Sequence, residues 1–354
     1  MSSTKKRVLI VVSCIIFILL YIVFAFRISG DELQFVPHWT ISVTKPSEGV
    51  AESSEKFPFK LGQNLGYFTE NGEIFMSESF PYMATISKDF WSIFSSSAEN
   101  TAIFNKKREE VGRVSAAGFP FYTNWGNFVF LPGGMAFSFL AEDGNSLWTY
   151  EDITPITSFY PYENGIIVGY AEGKIINFDY KGNICFSVAP GGSDYSVILG
   201  TAASSDGVYS ACVSGINQQR FVLMKTSAGQ TKTVFHEYLN GNLREQTFVK
   251  FANNNSKVFY NDKNGLGVLD VSTLESAHIP LEGKIVAIEE MEELNLYYVL
   301  TKLKNEYKVY ILEDLSNLVG FYEFTGNSAF ILTDKNNLYT GVDTTITKTE
   351  VKRW

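Results

Sequence analysis

The residues with the chemistry to do catalysis are few and scattered. The chain has 354 residues and three histidines, His38, His236 and His278, too widely separated to suggest a convergent metal site. His236-Glu237 lacks a second histidine four positions on, so the pair is not a zincin helix. Gly173-Lys174 and Gly283-Lys284 are each followed by Ile rather than Ser or Thr and serve as turns, not phosphate loops. Gly192-Ser193 lacks the following glycine of a nucleophile elbow. Asp262-Lys263-Asn264-Gly265 and Asp334-Lys335-Asn336 share residues with calcium loops but miss the later ligand positions, and hairpin chemistry accounts for them. Cys185 and Cys212 fall in expected strands and are read as free thiols. This reading assigns no catalytic, cofactor-binding or metal residue and no cofactor.

Two groups of residues suit binding better than catalysis. Phe119, Phe121, Tyr122 and Trp125, with Tyr160 and Tyr162 further on, form a dense aromatic set. Gathered on one rim, Phe121, Tyr122, Trp125, Tyr160 and Tyr162 would offer a partner-binding platform, because Tyr and Trp are frequent hot-spot residues. Core filling is the competing role. Glu289-Glu290-Met291-Glu292-Glu293 is expected at a solvated turn, with a docking site for a basic partner as the alternative.

The elements that must position these residues are short strands. Gly165–Val188 holds three runs rich in β-branched and aromatic residues, split at Glu172-Gly173 and Lys181-Gly182-Asn183. That spacing suits an antiparallel meander and leaves no room for a crossover helix. Equivalent turns recur near Gly72, Lys107, Gly144, Gly182, Gly229, Thr273 and Ser316, at intervals of 35, 37, 38, 47, 44 and 43 residues. A period near 40 with four short strands is the signature of a propeller blade. Complete units are expected over 82–116, 119–151, 155–188, 197–238, 246–280 and 284–324. A leading pair (64–69 and 73–79) and a trailing pair (329–333 and 337–341) combine into a further blade. The expected fold is an all-β, seven-bladed β-propeller whose two ends clasp the ring, with six or eight blades as the variants.

Over about residues 140–190 the chain resembles the quinoprotein-like (PQQ-type) propeller repeat, a WD40-like propeller family. The resemblance rests on Glu142-Asp143-Gly144-Asn145-Ser146-Leu147-Trp148, Pro155-Ile156-Thr157-Ser158, Gly173-Lys174-Ile175-Ile176-Asn177-Phe178-Asp179 and Gly182-Asn183-Ile184. It implies a propeller and leaves activity open. Family enzymes bind a quinone with calcium, whereas membrane-tethered members without cofactor act as envelope assembly scaffolds. The adjacent cysteines of quinoprotein alcohol dehydrogenases are missing.

At the N-terminus, Lys5-Lys6-Arg7 precedes the uncharged run Val8–Phe26. Nineteen helical residues span roughly 28 Å, close to the hydrocarbon thickness of a bilayer. The expected organisation is a cytoplasmic basic tail (1–7), a transmembrane anchor (8–26), a linker (27–60) and the propeller (61–354), with the propeller outside the cytoplasmic membrane of a bacterium. Lipidation of Cys14 within Val11-Val12-Ser13-Cys14 is the rival to an uncleaved anchor. The formal charge of −9 is unevenly spread: residues 1–27 hold four basic groups and no acid, leaving 25 basic against 38 acidic groups in the rest. A body so acidic, without a basic stripe, argues against a nucleic-acid partner and against binding anionic lipid headgroups. The expected function is a non-enzymatic protein-interaction scaffold docking another envelope protein, with the membrane as a second partner through residues 8–26. A sensor with a small molecule or glycan in its channel is the alternative, and a quinone-dependent dehydrogenase the remote one.

Overall fold

The computed structural model describes residues 12–18, 20–21, 32–96, 99–239, 241, 243–314 and 317–353. Its strands form eight antiparallel sheets. In chain order, β1 (Leu33–Ser42) stands apart and is followed by blade I, made of β2 (Lys56–Leu61), β3 (Asn64–Thr69) and β4 (Ile74–Ser79). Blade II holds β5 (Met83–Ile86), β6 (Phe90–Phe94), β7 (Thr101–Asn105) and β8 (Glu110–Val114). Blade III holds β9 (Phe119–Thr123), β10 (Gly126–Phe130), β11 (Ala136–Leu140) and β12 (Ser146–Glu151). Blade IV holds β13 (Ile156–Tyr162), β14 (Gly165–Tyr170), β15 (Ile175–Phe178) and β16 (Ile184–Val188). Blade V holds β17 (Ile198–Ala203), β18 (Tyr209–Ser214), β19 (Arg220–Ser227) and β20 (Gln230–Tyr238). Blade VI holds β21 (Val249–Ala252), β22 (Lys257–Asp262), β23 (Gly265–Asp270) and β24 (Ser276–Pro280). Blade VII holds β25 (Lys284–Met291), β26 (Leu296–Leu303), β27 (Glu306–Glu313) and β28 (Asn317–Thr325). Blade VIII takes β29 (Ala329–Asp334), β30 (Asn337–Val342) and β31 (Thr345–Arg353) from the C-terminus and β1 from the N-terminus as its outermost strand.

The core shows that the ring is closed. Each blade is too thin to bury its own faces, so apolar side chains pack between blades. Among the described residues they fall into eight clusters, one at each junction. An open stack of eight sheets would have only seven. The closing cluster joins Phe57, Phe59 and Phe68 of blade I to Tyr339 and Ile346 of blade VIII. Inner strands are also tied one to the next by Tyr122 N to Thr85 Oγ1 at 3.0 Å and Ser158 Oγ to Thr201 Oγ1 at 2.8 Å. Further round, Lys250 Nζ donates to Ile288 O at 2.6 Å and Thr333 Oγ1 to Glu290 O at 2.7 Å.

The seven-bladed expectation is therefore corrected to eight blades. The six complete units are blades II to VII, but the leading and trailing pairs do not share a sheet. The trailing pair is completed by β31 and β1, which pair from Leu33 opposite Arg353 to Ser42 opposite Thr345. The leading pair gains β2, and its identity follows from a register irregularity. A shift just past the turn between third and fourth strands recurs in blades II, III, IV, V and VII, and again between β3 and β4. Blade I thus has its second, third and fourth strands and no first. Proline explains the vacancy. Leu61 pairs with Asn64 across the two-residue turn Gly62-Gln63, so ladder bonds fall at Leu61, Phe59 and Phe57. Pro58 occupies an intervening, outward-facing position and has no N–H to offer an inner strand.

The linker expected over 27–60 instead contains β1 and β2. Between them, residues 43–55 cross the outside of blade I, with Ser47 N donating to Ile74 O at 2.8 Å and Ser77 Oγ to Val43 O at 2.5 Å. The anchor expected over 8–26 is corrected as well: among the described residues no helix is long and apolar enough to cross a membrane. Of that span, residues 12–18 and 20–21 are helical and exposed; the remainder, and the tail 1–7, lie outside the described residues. With the anchor go the single-pass placement in the cytoplasmic membrane and the membrane as a partner through residues 8–26.

Candidate functional site

Strand alternation gives the ring two faces. Turns joining first to second and third to fourth strands lie on one, the lower face. The other, upper face carries the second-to-third turns and the connections between blades.

The sequence-selected aromatics do not assemble into one platform. Tyr122 is buried between blades II and III, its hydroxyl 2.9 Å from Ser92 Oγ, and burial pushes that phenol up to about 12. Tyr162 is buried too, accepting from Asn177 Nδ2 at 2.9 Å, while Tyr180 donates to the Tyr162 carbonyl at 2.6 Å. Tyr160 is half-buried against the clusters on both sides of blade V. Phe121 is partly exposed in the inner strand, packed edge-on against Phe159 with centroids 6.1 Å apart. Trp125, 49% exposed, lies in the β9–β10 turn on the lower face, away from Phe119 at the upper end of β9.

A different set does share a face. Tyr82 (74% exposed) lies in the connection into blade II, Ile153 (85%) in that into blade IV and Tyr195 (62%) in that into blade V. Phe119, Met83 and Met135 add exposed apolar surface among them. The backbone holds this rim in place, with Asp152 N donating to Met135 O at 3.0 Å and Ile156 N to Gly134 O at 2.8 Å. The signal was present in the chain: Pro81-Tyr82, Asp152-Ile153 and Asp194-Tyr195 put large apolar residues where blade connections need only polar ones. Further round the same mouth are two adjoining cavities of about 380 and 340 Å³ that share Ser158, Phe159 and Gln246. Tyr160, Thr201 and Lys250 also line the larger.

Groups with acid–base or metal chemistry stay in structural roles. Among the described residues no three or more His, Cys, Asp or Glu side chains are placed to hold a metal ion. His38 pairs with Glu350 at 2.8 Å across β1 and β31. His278 lies 3.4 Å from Glu237 and 3.3 Å from Asp262 at the rim of blades V and VI. Asp262-Gly265 and Asp334-Asn337 close hairpins. The acidic run 289–293 is not one solvated turn. Glu289 belongs to β25, where burial raises its carboxyl, and Glu290 accepts from Asn253 N at 3.0 Å. Cys185 is exposed and Cys212 buried, both free.

Two tryptophans fix the blade junctions by one device. Trp148 Nε1 donates to Tyr180 O at 3.0 Å, and its ring lies against Gly182, where an added Cβ would meet the indole at 2.9 Å. Trp39 repeats this at the ring closure, donating to Glu70 O at 3.1 Å and lying on Gly72, where a Cβ would approach to 2.8 Å. Both follow the register shift of an outermost strand.

This is a closed eight-bladed propeller of seven four-stranded sheets and one three-stranded sheet. A family model described as beta-propeller protein matches residues 1–353, and the chain belongs to that family. The match spans essentially the whole chain, not the 50-residue segment around residues 140–190 that carried the resemblance. An uncharacterized protein of Treponema pallidum (strain Nichols) is 26% identical over 361 residues, covering 99% of this chain and 96% of that one. Among solved structures, BamB from Moraxella catarrhalis superposes with a TM-score of 0.63 at 13% identity, covering 90% of this chain and all of BamB. The computationally designed Ika8 protein gives 0.60 at 12% identity, covering 86% of this chain and 98% of that one.

Proposed function

We propose that this chain is a non-enzymatic docking propeller of the bacterial cell envelope that holds a protein partner on its upper face. The observation carrying this reading is the set Tyr82, Ile153 and Tyr195, exposed on the connections into blades II, IV and V of one rim. Large apolar side chains gathered on a rigid face mark protein interaction sites, and tyrosine is favoured there. Phe121 extends the surface into the channel mouth. The bacterial relative and the fold shared with BamB support the setting. Trp125 lies on the opposite face and serves as a separate contact point, while Tyr122, Tyr160 and Tyr162 support the blades behind the rim.

The test is site-specific photocrosslinking in intact cells. Benzoylphenylalanine at positions 82, 153 and 195 is expected to trap the same protein, and a probe at the lower-face residue Leu147 is not. Adducts from Leu147 alone, or none from the upper face, would defeat the proposal. A receptor role for a small molecule or glycan is favoured by the two adjoining mouth cavities, lined by hydroxyl, amide and aromatic groups. A sugar that raises the melting temperature of wild type and not of Gln246→Ala would select it.

A further inference from the structure

Residues 43–55 cross the outside of blade I, and their last part, 52–55, borders a cavity of about 390 Å³ at the junction of blades I and II, on the lower face. Four lysines from three separate segments line it, Lys56 at the start of β2, Lys88 in the β5–β6 turn, and Lys106 and Lys107 in the β7–β8 turn, against two carboxylates, Glu52 and Glu55, so that the lysines are in excess. In a chain carrying a net −9 charge this convergence is out of keeping with the average surface. Phe75 forms an apolar wall, with Lys56 Nζ 4.4 Å from its ring centroid.

The lysines are held by makeshift partners. Lys56, buried, donates to the carbonyls of Glu52 at 2.6 Å and Ser54 at 2.9 Å and, among the described residues, forms no ion pair. Burial first, then the neighbouring Lys106, lower the proton affinity of this ammonium. Lys107 takes the carboxylate of Glu52 at 2.8 Å, yet that side chain is largely exposed. Lys106 pairs with the exposed Asp89 at 3.1 Å, and among the described residues Lys88 has no ion-pair partner. A dianion would satisfy the ammoniums together and release Glu52 to water.

We propose that this cavity binds a phosphate group, carried either by a soluble ester or by a lipid headgroup. Lysine ammoniums suit such a ligand as mobile point charges, and the surrounding burial strengthens each charge-assisted bond. Glu52 is the gate: its carboxylate occupies the place the phosphate takes on Lys107.

The test uses the full chain, titrated calorimetrically with inorganic phosphate and, separately, sedimented with phosphatidylcholine vesicles with and without phosphatidic acid. Saturable binding to either probe is expected. The double variant Lys88→Ala/Lys107→Ala should weaken it by about tenfold or more, the loss of one charge-assisted bond being enough for that. Glu52→Gln should tighten it severalfold. Binding of phosphate without the vesicles identifies a soluble ester, and binding confined to phosphatidic acid vesicles identifies a lipid headgroup. Absence of both, or equal affinity in wild type and the double variant at unchanged melting temperature, overturns the site.

Discussion

Trp148 and Trp39 show how much of this ring depends on single side chains. Each fills the gap between two blades, donates its indole N–H to a carbonyl of the next turn, and needs a glycine beneath it. Blade II has Gly112 at the corresponding place, and there the main chains touch directly, Arg113 N donating to Asp143 O at 2.9 Å. Trp148→Ala is expected to cost about 3–5 kcal/mol, the usual penalty for emptying such a site, read as a lower urea midpoint. Asp270 gives a pH signature. Ser272 Oγ, then the amides of Thr273 and Ser272, with Lys257 alongside, hold its carboxyl at about 2. Its folded value lies below the unfolded one of roughly 3.9. The stabilisation is therefore complete above about pH 4 and disappears as pH falls through about 2. The stability gap between wild type and Asp270→Asn, followed by urea melts from pH 5 downward, should close over that window. Burial pushes the Cys212 thiol up to about 12, so iodoacetamide should alkylate Cys185 in the native protein and Cys212 only on unfolding, a difference mass spectrometry reads directly.

At the scale of elements, legibility followed the turns. Blades III to V were visible because Asp-Gly, Glu-Gly and Lys-Gly-Asn pieces divide runs of β-branched and aromatic residues, and blades II, VI and VII because turns near Lys107, Thr273 and Ser316 keep the same period. The strands that decide the blade number lack those marks. β31, TITKTEVKR, has the composition of a solvated tail. It nonetheless buries Ile346 against blade I and Val351, on the opposite face, against blade VII, and Lys348 reaches Glu70 at 3.2 Å. β2, KFPFKL, has a proline at its centre, which argues against a strand until that position is known to face an empty edge. β1 bends between Pro37 and Trp39, and its partner lies more than 300 residues away, beyond any local pattern. The closure itself makes a testable element. Thr40 and Thr347 stand opposite each other with hydroxyls 3.0 Å apart. A disulfide in Thr40→Cys/Thr347→Cys should stabilise the ring by about 3 kcal/mol, seen as a urea midpoint that falls on reduction.

For the whole molecule, eight apolar junctions around one axis make a stiff platform and leave function to the rims. That is why the docking surface was not legible: periodicity distinguishes strand from turn but does not show which turns share a face. Tyr82, Ile153 and Tyr195 come from connections 42 or more positions apart, and only the circular arrangement puts them on one face. The aromatic cluster chosen from density along the chain was divided by the same geometry, with Tyr122 and Tyr162 turned inward and Trp125 sent to the lower face.

The outermost strand of blade VIII is made early and waits for a partner more than 300 residues further along. Until residues 345–353 have left the ribosome, β1 has nothing to pair with, and both blades VIII and I stay ragged at their edges. A product that stops before residue 345 would present sticky, protease-accessible margins. The architecture thereby distinguishes a chain that has reached residue 353 from one that has not, without any dedicated inspector.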